Sequence, residues 1–353
     1  MIAVKTTLSA KDKIPLHMHI PLDTPLSMTI EPSGICNLKC KYCLFSLPKQ
    51  TIEAHRHIMQ MMPDSIFDQI ASDLSRFPRP IKNITFARLG EPLLNKKLPE
   101  MIERLKGGKL CEKTLVISNG IPLTGKLSQE LVDAGLDRIK LSICGLSADD
   151  YMENCGTEVD FDDLVANIEY LYSIRGDMKV QIKILDKLLG DEIELGVERF
   201  HSIFGNICDE IDIECLYPMF GTEINYDELY FSGAQPPVNR YNSANKRKVC
   251  PMPFFKLIIA ASGRVDYCYS MGITGGYLPY DSLYDIWHSS RRQETLLELL
   301  KSRHEGITKP CQTCGCFQDT DAEEDNLDDH AESLIKKIER DSKSCKLSVV
   351  SCQ

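Results

Sequence analysis

The chain has 353 residues, 43% of them hydrophobic and 26% charged, a globular composition that excludes a disordered, collagenous or low-complexity protein. A formal charge of -10 and a single short basic run, Lys246-Arg247-Lys248, argue against a general nucleic-acid binder, whose affinity needs a clustered basic surface that releases counterions. No stretch approaches the roughly 20 consecutive apolar residues of a membrane span, and Met1 to Pro25 lacks a basic-then-apolar signal layout, so no membrane partner and a cytoplasmic location are expected.

After an N-terminal extension (residues 1–25), short β-rich runs alternate with helical periodicity. Leu26 to Ile30, Ile84 to Ala87, Leu115 to Ser118, Ile139 to Ile143, Val180 to Leu185 and Ile211 to Cys215 are expected as six strands. Between them Ile66, Ile70 and Leu74, and likewise Leu164, Ile168 and Leu171, give helices one apolar stripe each. Six β/α units over residues 26–215 predict an α/β fold whose parallel strands curve into a partial barrel, with chemistry at their carboxyl ends. Residues 216–249, punctuated by Pro218, Gly221, Gly233, Pro236 and Pro237, read as a linker or lid. A smaller module at 250–320 follows. There Phe254 to Ala260 and Arg264 to Cys268 form a hairpin about Ser262-Gly263, and Leu283 to Leu300 forms a helix bearing Trp287. A polar helix, roughly Asp328 to Arg340, and a tail complete residues 321–353.

Fifteen cysteines are odd in number and unevenly spaced, which suits metal ligation better than a secreted disulfide framework. Cys36-x3-Cys40-x2-Cys43 follows the first strand. Three soft thiolates in one loop suit an iron-sulfur cubane with one iron left open, whereas a zinc site wants a fourth ligand. With Tyr42 just before its third cysteine, this motif resembles the radical S-adenosylmethionine (SAM) superfamily, and the resemblance extends over residues 26 to 215. It implies a partial (β/α)6 TIM-like barrel and a four-iron cluster whose open iron binds SAM. An electron from the cluster then cleaves SAM to a 5'-deoxyadenosyl radical that abstracts hydrogen from a C-H bond. A flavodoxin- or ferredoxin-type electron donor is implied as partner. Leu89-Gly90-Glu91-Pro92 is similar to the family's Gly-Gly-Glu motif, with Leu89 in place of the first glycine. Gly90 and Glu91, the latter expected as an exposed strand-end acid, are thereby implied to contact the SAM amino group. Ser118 and Ser142 fall where the family places hydroxyls for the SAM carboxylate and ribose.

In the second cysteine group, Cys250 and Cys268 bracket the expected hairpin and Cys311-x2-Cys314 follows the helix. Four thiolates in two pairs would suit a zinc ribbon or a cluster. Cys250-x12-Gly263-x4-Cys268 resembles the opening of the SPASM domain, and the closing Cys-x2-Cys its shortened twitch form. The resemblance implies an auxiliary four-iron cluster able to accept an electron. Cys316 comes one residue after Cys314 and is a further candidate ligand. Cys345 and Cys352 either ligate a second auxiliary cluster or are incidental tail thiols.

SPASM and twitch members oxidise alcohols, epimerise, or cross-link ribosomally made peptides. About 25 residues precede the first strand, too few for a winged peptide-recognition domain, which favours a small-molecule substrate. The layout is similar to aminocyclitol-oxidising members such as 2-deoxy-scyllo-inosamine dehydrogenase. Oxidation or epimerisation of a sugar, cyclitol or related alcohol is the leading expectation. Maturation of a peptide precursor is the alternative, and a non-catalytic iron-sulfur carrier or zinc-binding protein the remote one. Candidate bases or hydrogen donors at strand ends are Cys144, Lys183, Glu214, Cys215 and Tyr217, with Lys183 and Glu214 also able to satisfy one another.

Overall fold

The computed structural model describes residues 14–190, 192–214, 216, 224–225, 248–269, 272–302, 311 and 323–350, residue 323 and the stretch 341–350 as backbone alone. Six strands, β1 (Ser27–Ile30), β2 (Ile81–Phe86), β3 (Cys111–Ser118), β4 (Arg138–Ile143), β5 (Lys179–Leu185) and β6 (Glu210–Glu214), lie side by side in sequence order. Every neighbouring pair among them is parallel. The connections hold α1 (Lys49–Ala54), α2 (Asp64–Leu74), α3 (Leu98–Gly107), α4 (Gly125–Asp133), α5 (Ala148–Cys155), α6 (Phe161–Ile174) and α7 (Ile193–Phe204). This is the partial barrel expected of six β/α units.

Local chemistry sets the helix limits. Thr124, Ser147 and Asp160 cap α4, α5 and α6, each side chain accepting a backbone N–H three residues on, which satisfies an otherwise orphaned donor. Gly156, at φ 57°, ends α5 in the left-handed region, where glycine carries no Cβ penalty. On β4 and β5, Ile139, Leu141, Ile143, Val180, Ile182 and Ile184 are buried with Ile168, Leu171 and Phe200 of the covering helices. The alternate positions Arg138, Lys140, Ser142 and Lys183 stay half-buried, so the strand period of two gives the sheet an apolar face towards the helices and a polar one away from them.

The C-terminal strands continue the same sheet. β7 (Lys256–Ile259) pairs parallel with β1, while β8 (Arg264–Asp266) and β9 (Thr274–Tyr277) add antiparallel beyond it. The expected hairpin is therefore fused edge-on to the barrel. It is also shorter at its start, because Met252–Phe255 forms a helical turn. The buried Arg292 donates to the carbonyls of Pro253 (3.0 Å) and Phe254 (3.1 Å) at that turn. Strand β9 escaped the sequence reading because Gly275 and Gly276 depress its strand propensity.

The helix expected over Leu283 to Leu300 is two, Leu283–His288 and Ser290–Ser302. Ser289 is extended between them, and its hydroxyl accepts from Arg292 N at 3.1 Å, starting the second helix. The final helix runs Ala331–Val350 after a 3-10 turn at Asp328–His330. The Asp328 carboxylate instead accepts from the N–H groups of Lys248 and Val249 (2.8 Å), just before Cys250.

Candidate active site

The loop after β1 carries Cys36, Cys40 and Cys43, and its backbone is anchored on two sides. Lys39 N and Lys41 N donate to the carbonyls of Cys155 (3.1 Å) and Asn154 (2.9 Å), giving partners to carbonyls that the end of α5 leaves open. On the other side Glu91 N donates to Ile35 O at 2.8 Å. An added Cβ at Gly90 would lie 1.9 Å from Ser33 O. Only glycine lets the loop after β2 approach this closely. The implied Gly-Glu motif thus braces the cysteine loop directly.

Glu91 is buried, 3% exposed, which corrects the exposed strand-end acid read from the sequence. Its carboxylate accepts from Leu93 N (2.9 Å), Ser118 Oγ (2.7 Å) and Asn119 N (2.8 Å). Burial nevertheless pushes its pKa up to about 7 against the pull of those donors. Ser118 donates to Glu91 and accepts from Gly120 N at 2.9 Å, so its hydroxyl positions the acid at the end of β3. Ser142 lies half-buried on the polar face of β4. Tyr42 Oη stands 3.3 Å from Cys144 Sγ. Tyr42 also packs with Leu47, Leu185, Leu216 and Ile224 in a small apolar cluster, Leu216 and Ile224 coming from the expected lid.

Behind the motif lies a buried ion network that sequence reasoning missed. Glu31, at the end of β1, accepts from Leu89 N (3.2 Å) and Ala261 N (3.0 Å) and pairs with Arg88 at 3.4 Å. Arg88 also meets Asp266 at 2.7 Å, and Asp266 pairs with Arg264 at 3.0 Å. Arg88 adopts φ 142°, a strained conformation that persists only where its surroundings enforce it. The network joins the ends of β1 and β2 to the β7–β8 hairpin. Its sequence signal was faint, since isolated charges next to strands usually mark solvent.

Of the catalytic candidates, Lys183 and Glu214 pair at 2.6 Å, and Lys140, not singled out from sequence, joins Glu214 at 2.8 Å. All three side chains are 10–20% exposed on the polar face of β4, β5 and β6. Their alternation with the apolar positions was the available signal for Lys140. Cys144 is buried beside Cys40. Cys155, not singled out from the sequence, lies 3.5 Å from Cys40 Sγ. Cys215 and Tyr217 lie outside the described residues, as do Cys314, Cys316 and Cys352, and nothing is described of the Cys345 side chain. Cys268 and Cys311 are buried in the main core and Cys250 packs against it.

The surroundings of the three signature thiols favour their protonated form. Burial pushes Cys36 up to about 12 and raises Cys43, and the hydrogen bond with Cys144 raises Cys40. A metal centre must therefore displace their protons. The residues fit a cluster: three soft donors in one braced loop at the carboxyl ends of the strands, where ligands bind in such sheets. Cys250 and Cys268, flanking the hairpin, with Cys311, offer donors of the same softness to a second.

Residues 30–197 match the radical SAM superfamily, and residues 250–315 match the iron-sulfur cluster-binding domain SPASM. The chain carries a radical SAM domain followed by a SPASM domain. These domains imply a four-iron cluster and an auxiliary cluster. Among curated proteins, the one named probable GTP 3',8-cyclase of Methanococcus maripaludis strain C7 is 37% identical over 33% of this chain. The match spans 36% of that relative's length. The probable dual-specificity RNA methyltransferase RlmN of Christiangramia forsetii is 29% identical over 44% of each chain. Among solved structures, BtrN in complex with AdoMet and 2-DOIA aligns at TM-score 0.52 and 18% identity, over 82% of this chain and 92% of that one. SuiB of Streptococcus suis bound to the precursor peptide SuiA aligns at TM-score 0.59 and 16% identity, over 86% and 72%. At such identities these likenesses show the fold of this radical SAM chain. Among the described residues no helix is long and apolar enough to cross a membrane.

Proposed function

We propose that this radical SAM protein oxidises an alcohol carbon of a sugar-, cyclitol- or similarly hydroxyl-rich small molecule. The observation that carries the reading is the Lys140–Glu214–Lys183 trio, set on the polar face of β4, β5 and β6 with Glu214 at the carboxyl end of β6. Hydroxyl groups match such a surface because each can donate to a carboxylate and accept from an ammonium group. When bound, SAM with the signature cluster supplies the hydrogen-abstracting radical, and the auxiliary cluster supplies an acceptor for the electron.

The chain's own residues do the rest. Two ammonium groups fix the direction of the Glu214 carboxylate, which takes the substrate hydroxyl proton as general base. Gly90 and Glu91 brace the loop that presents Cys36, Cys40 and Cys43, and backbone groups of that brace would hold the SAM amino group. A flavodoxin- or ferredoxin-type donor is the proposed electron source, and the cytoplasm the proposed location. The unit boundaries proposed are 26–215 for the barrel and 250–320 for the auxiliary module.

The test is to incubate reduced, reconstituted protein in heavy water with sugars and cyclitols, following 5'-deoxyadenosine and product mass. Oxidation gives a product lighter by two hydrogens with no solvent deuterium at the reacting carbon. An isomer carrying deuterium there identifies an epimerase instead. Turnover of precursor peptides but no polyol overturns the small-molecule reading.

A further inference from the structure

Three thiols from three separate elements converge beside the signature loop. Cys40 comes from the loop after β1, Cys144 from the residue after β4, and Cys155 from the last turn of α5. Cys40 Sγ lies 3.5 Å from Cys155 Sγ and 3.9 Å from Cys144 Sγ, and all three sulfurs are within 4.8 Å of one another. Cys144 and Cys155 are 3% and 0% exposed. Among the described residues this is the only such group of three or more His, Cys, Asp or Glu. Cys36 and Cys43 are not part of it.

The spacing has a direct chemical meaning. A tetrahedral ion with metal–sulfur bonds of about 2.3 Å holds its ligand sulfurs about 3.8 Å apart. A cubane distributes its thiolates over separate irons and so spreads them more widely. The surroundings are also built as a metal site requires. Tyr42 Oη stands 3.3 Å from Cys144 Sγ, placed to donate to a thiolate. Asn154 Nδ2 donates to Cys144 O at 3.1 Å, and Cys144 N donates to Tyr151 Oη at 3.2 Å, fixing the Cys144 backbone. Lys39 N, bonded to Cys155 O at 3.1 Å, fixes the third ligand to the loop of the first.

We propose that Cys40, Cys144 and Cys155 form a mononuclear site for a soft divalent ion such as Zn2+. On binding, protons still held by the sulfurs pass to solvent and each sulfur forms one bond to the ion, a water molecule supplying the fourth ligand of the tetrahedron, with no change of oxidation state. Because Cys40 belongs to both ligand sets, an ion here withholds it from the signature cluster. Zinc-loaded and cluster-loaded chains are then alternative states of one site. The inference concerns metal occupancy and stands whatever substrate the protein turns over.

The experiment titrates reduced, metal-free protein under anaerobic conditions with Co2+, the spectroscopic substitute for Zn2+. Thiolate-to-cobalt absorption and tetrahedral d–d bands are the readout. The Cys250, Cys268 and Cys311 thiols are the same in every variant and contribute a constant background. Cys144→Ala and Cys155→Ala are each expected to lose one equivalent of cobalt relative to wild type. The Cys36→Ala/Cys43→Ala double variant keeps that equivalent, and adding Cys40→Ala removes it. Zinc preloading is expected to block iron assembly at the signature loop in wild type and to lose that effect in Cys155→Ala. Cys155→Ser, which preserves volume, checks that lost binding is not lost folding, since its near-UV circular dichroism should match wild type. Unchanged cobalt stoichiometry in Cys144→Ala and Cys155→Ala, or loss of the equivalent in the Cys36/Cys43 double variant, overturns the proposal.

Discussion

Around Cys36, Cys40 and Cys43 the chain is positioned by its own backbone. Lys39 N and Lys41 N bond the end of α5, Glu91 N bonds Ile35 O, and Gly90 sits where a Cβ would strike Ser33 O at 1.9 Å. The hairpin between Cys250 and Cys268 is held differently, by the pairing of β7 with β1 and by the buried charges of Glu31, Arg88, Asp266 and Arg264. The first region is governed by volume and the second by charge balance. That difference teaches where each is vulnerable: the loop cannot accept an added atom, and the hairpin junction cannot lose a charge.

The largest expected effect breaks the junction. Asp266 is fully buried and meets Arg88, Arg264 and Thr274. Asp266→Asn leaves two buried guanidinium groups undercompensated, at a cost of about 3–5 kcal/mol, read from denaturant unfolding. A change within measurement error would show that the network is not what joins hairpin and barrel. Next, Gly90→Ala should cost about 1–3 kcal/mol through overpacking and lower the iron held at the signature loop while the auxiliary cluster persists. Equal iron loss from both sites would remove the distinction between the two regions.

A smaller effect sharpens the electrostatics of the loop side. Burial raises Glu91 to about 7 from its ordinary 4.5, so between those values the folded chain binds more protons than the unfolded one. Stability from this group is present below the lower value and is lost as pH rises through the higher one, by about 3 kcal/mol in all. Glu91→Gln should flatten the stability profile of the metal-free protein across about pH 5 to about pH 8. Parallel profiles for the two proteins would refute that assignment.

Much of the barrel was legible because period-two apolar runs and i, i+4 stripes are local signals, and all six strands fall where the sequence put them, within a few residues. The signature cysteines were legible because their spacing is short-range. What escaped depends on contacts across the fold. Cys155 gains meaning only when α5 brings it to Cys40, over 100 residues away in sequence. Glu91 read as exposed because strand-end acids commonly are, and only the packing of the loops after β1, β2 and β3 buries it. The fusion of β7 to β1 joins segments 229 residues apart in register, Ser27 with Lys256, which no local pattern encodes. Helix 283–300 was read as continuous because Ser289 is a tolerable helix residue. Its use as a cap is decided by Arg292 reaching Pro253 and Phe254.

The most direct test of the account is the iron content and SAM cleavage of the Cys36→Ala/Cys40→Ala/Cys43→Ala variant, prepared and reconstituted without oxygen. If the signature loop holds one cubane and the auxiliary cysteines another, this variant keeps about half the iron of wild type and forms no 5'-deoxyadenosine. Continued formation of 5'-deoxyadenosine, or zinc in place of the remaining iron, would contradict it.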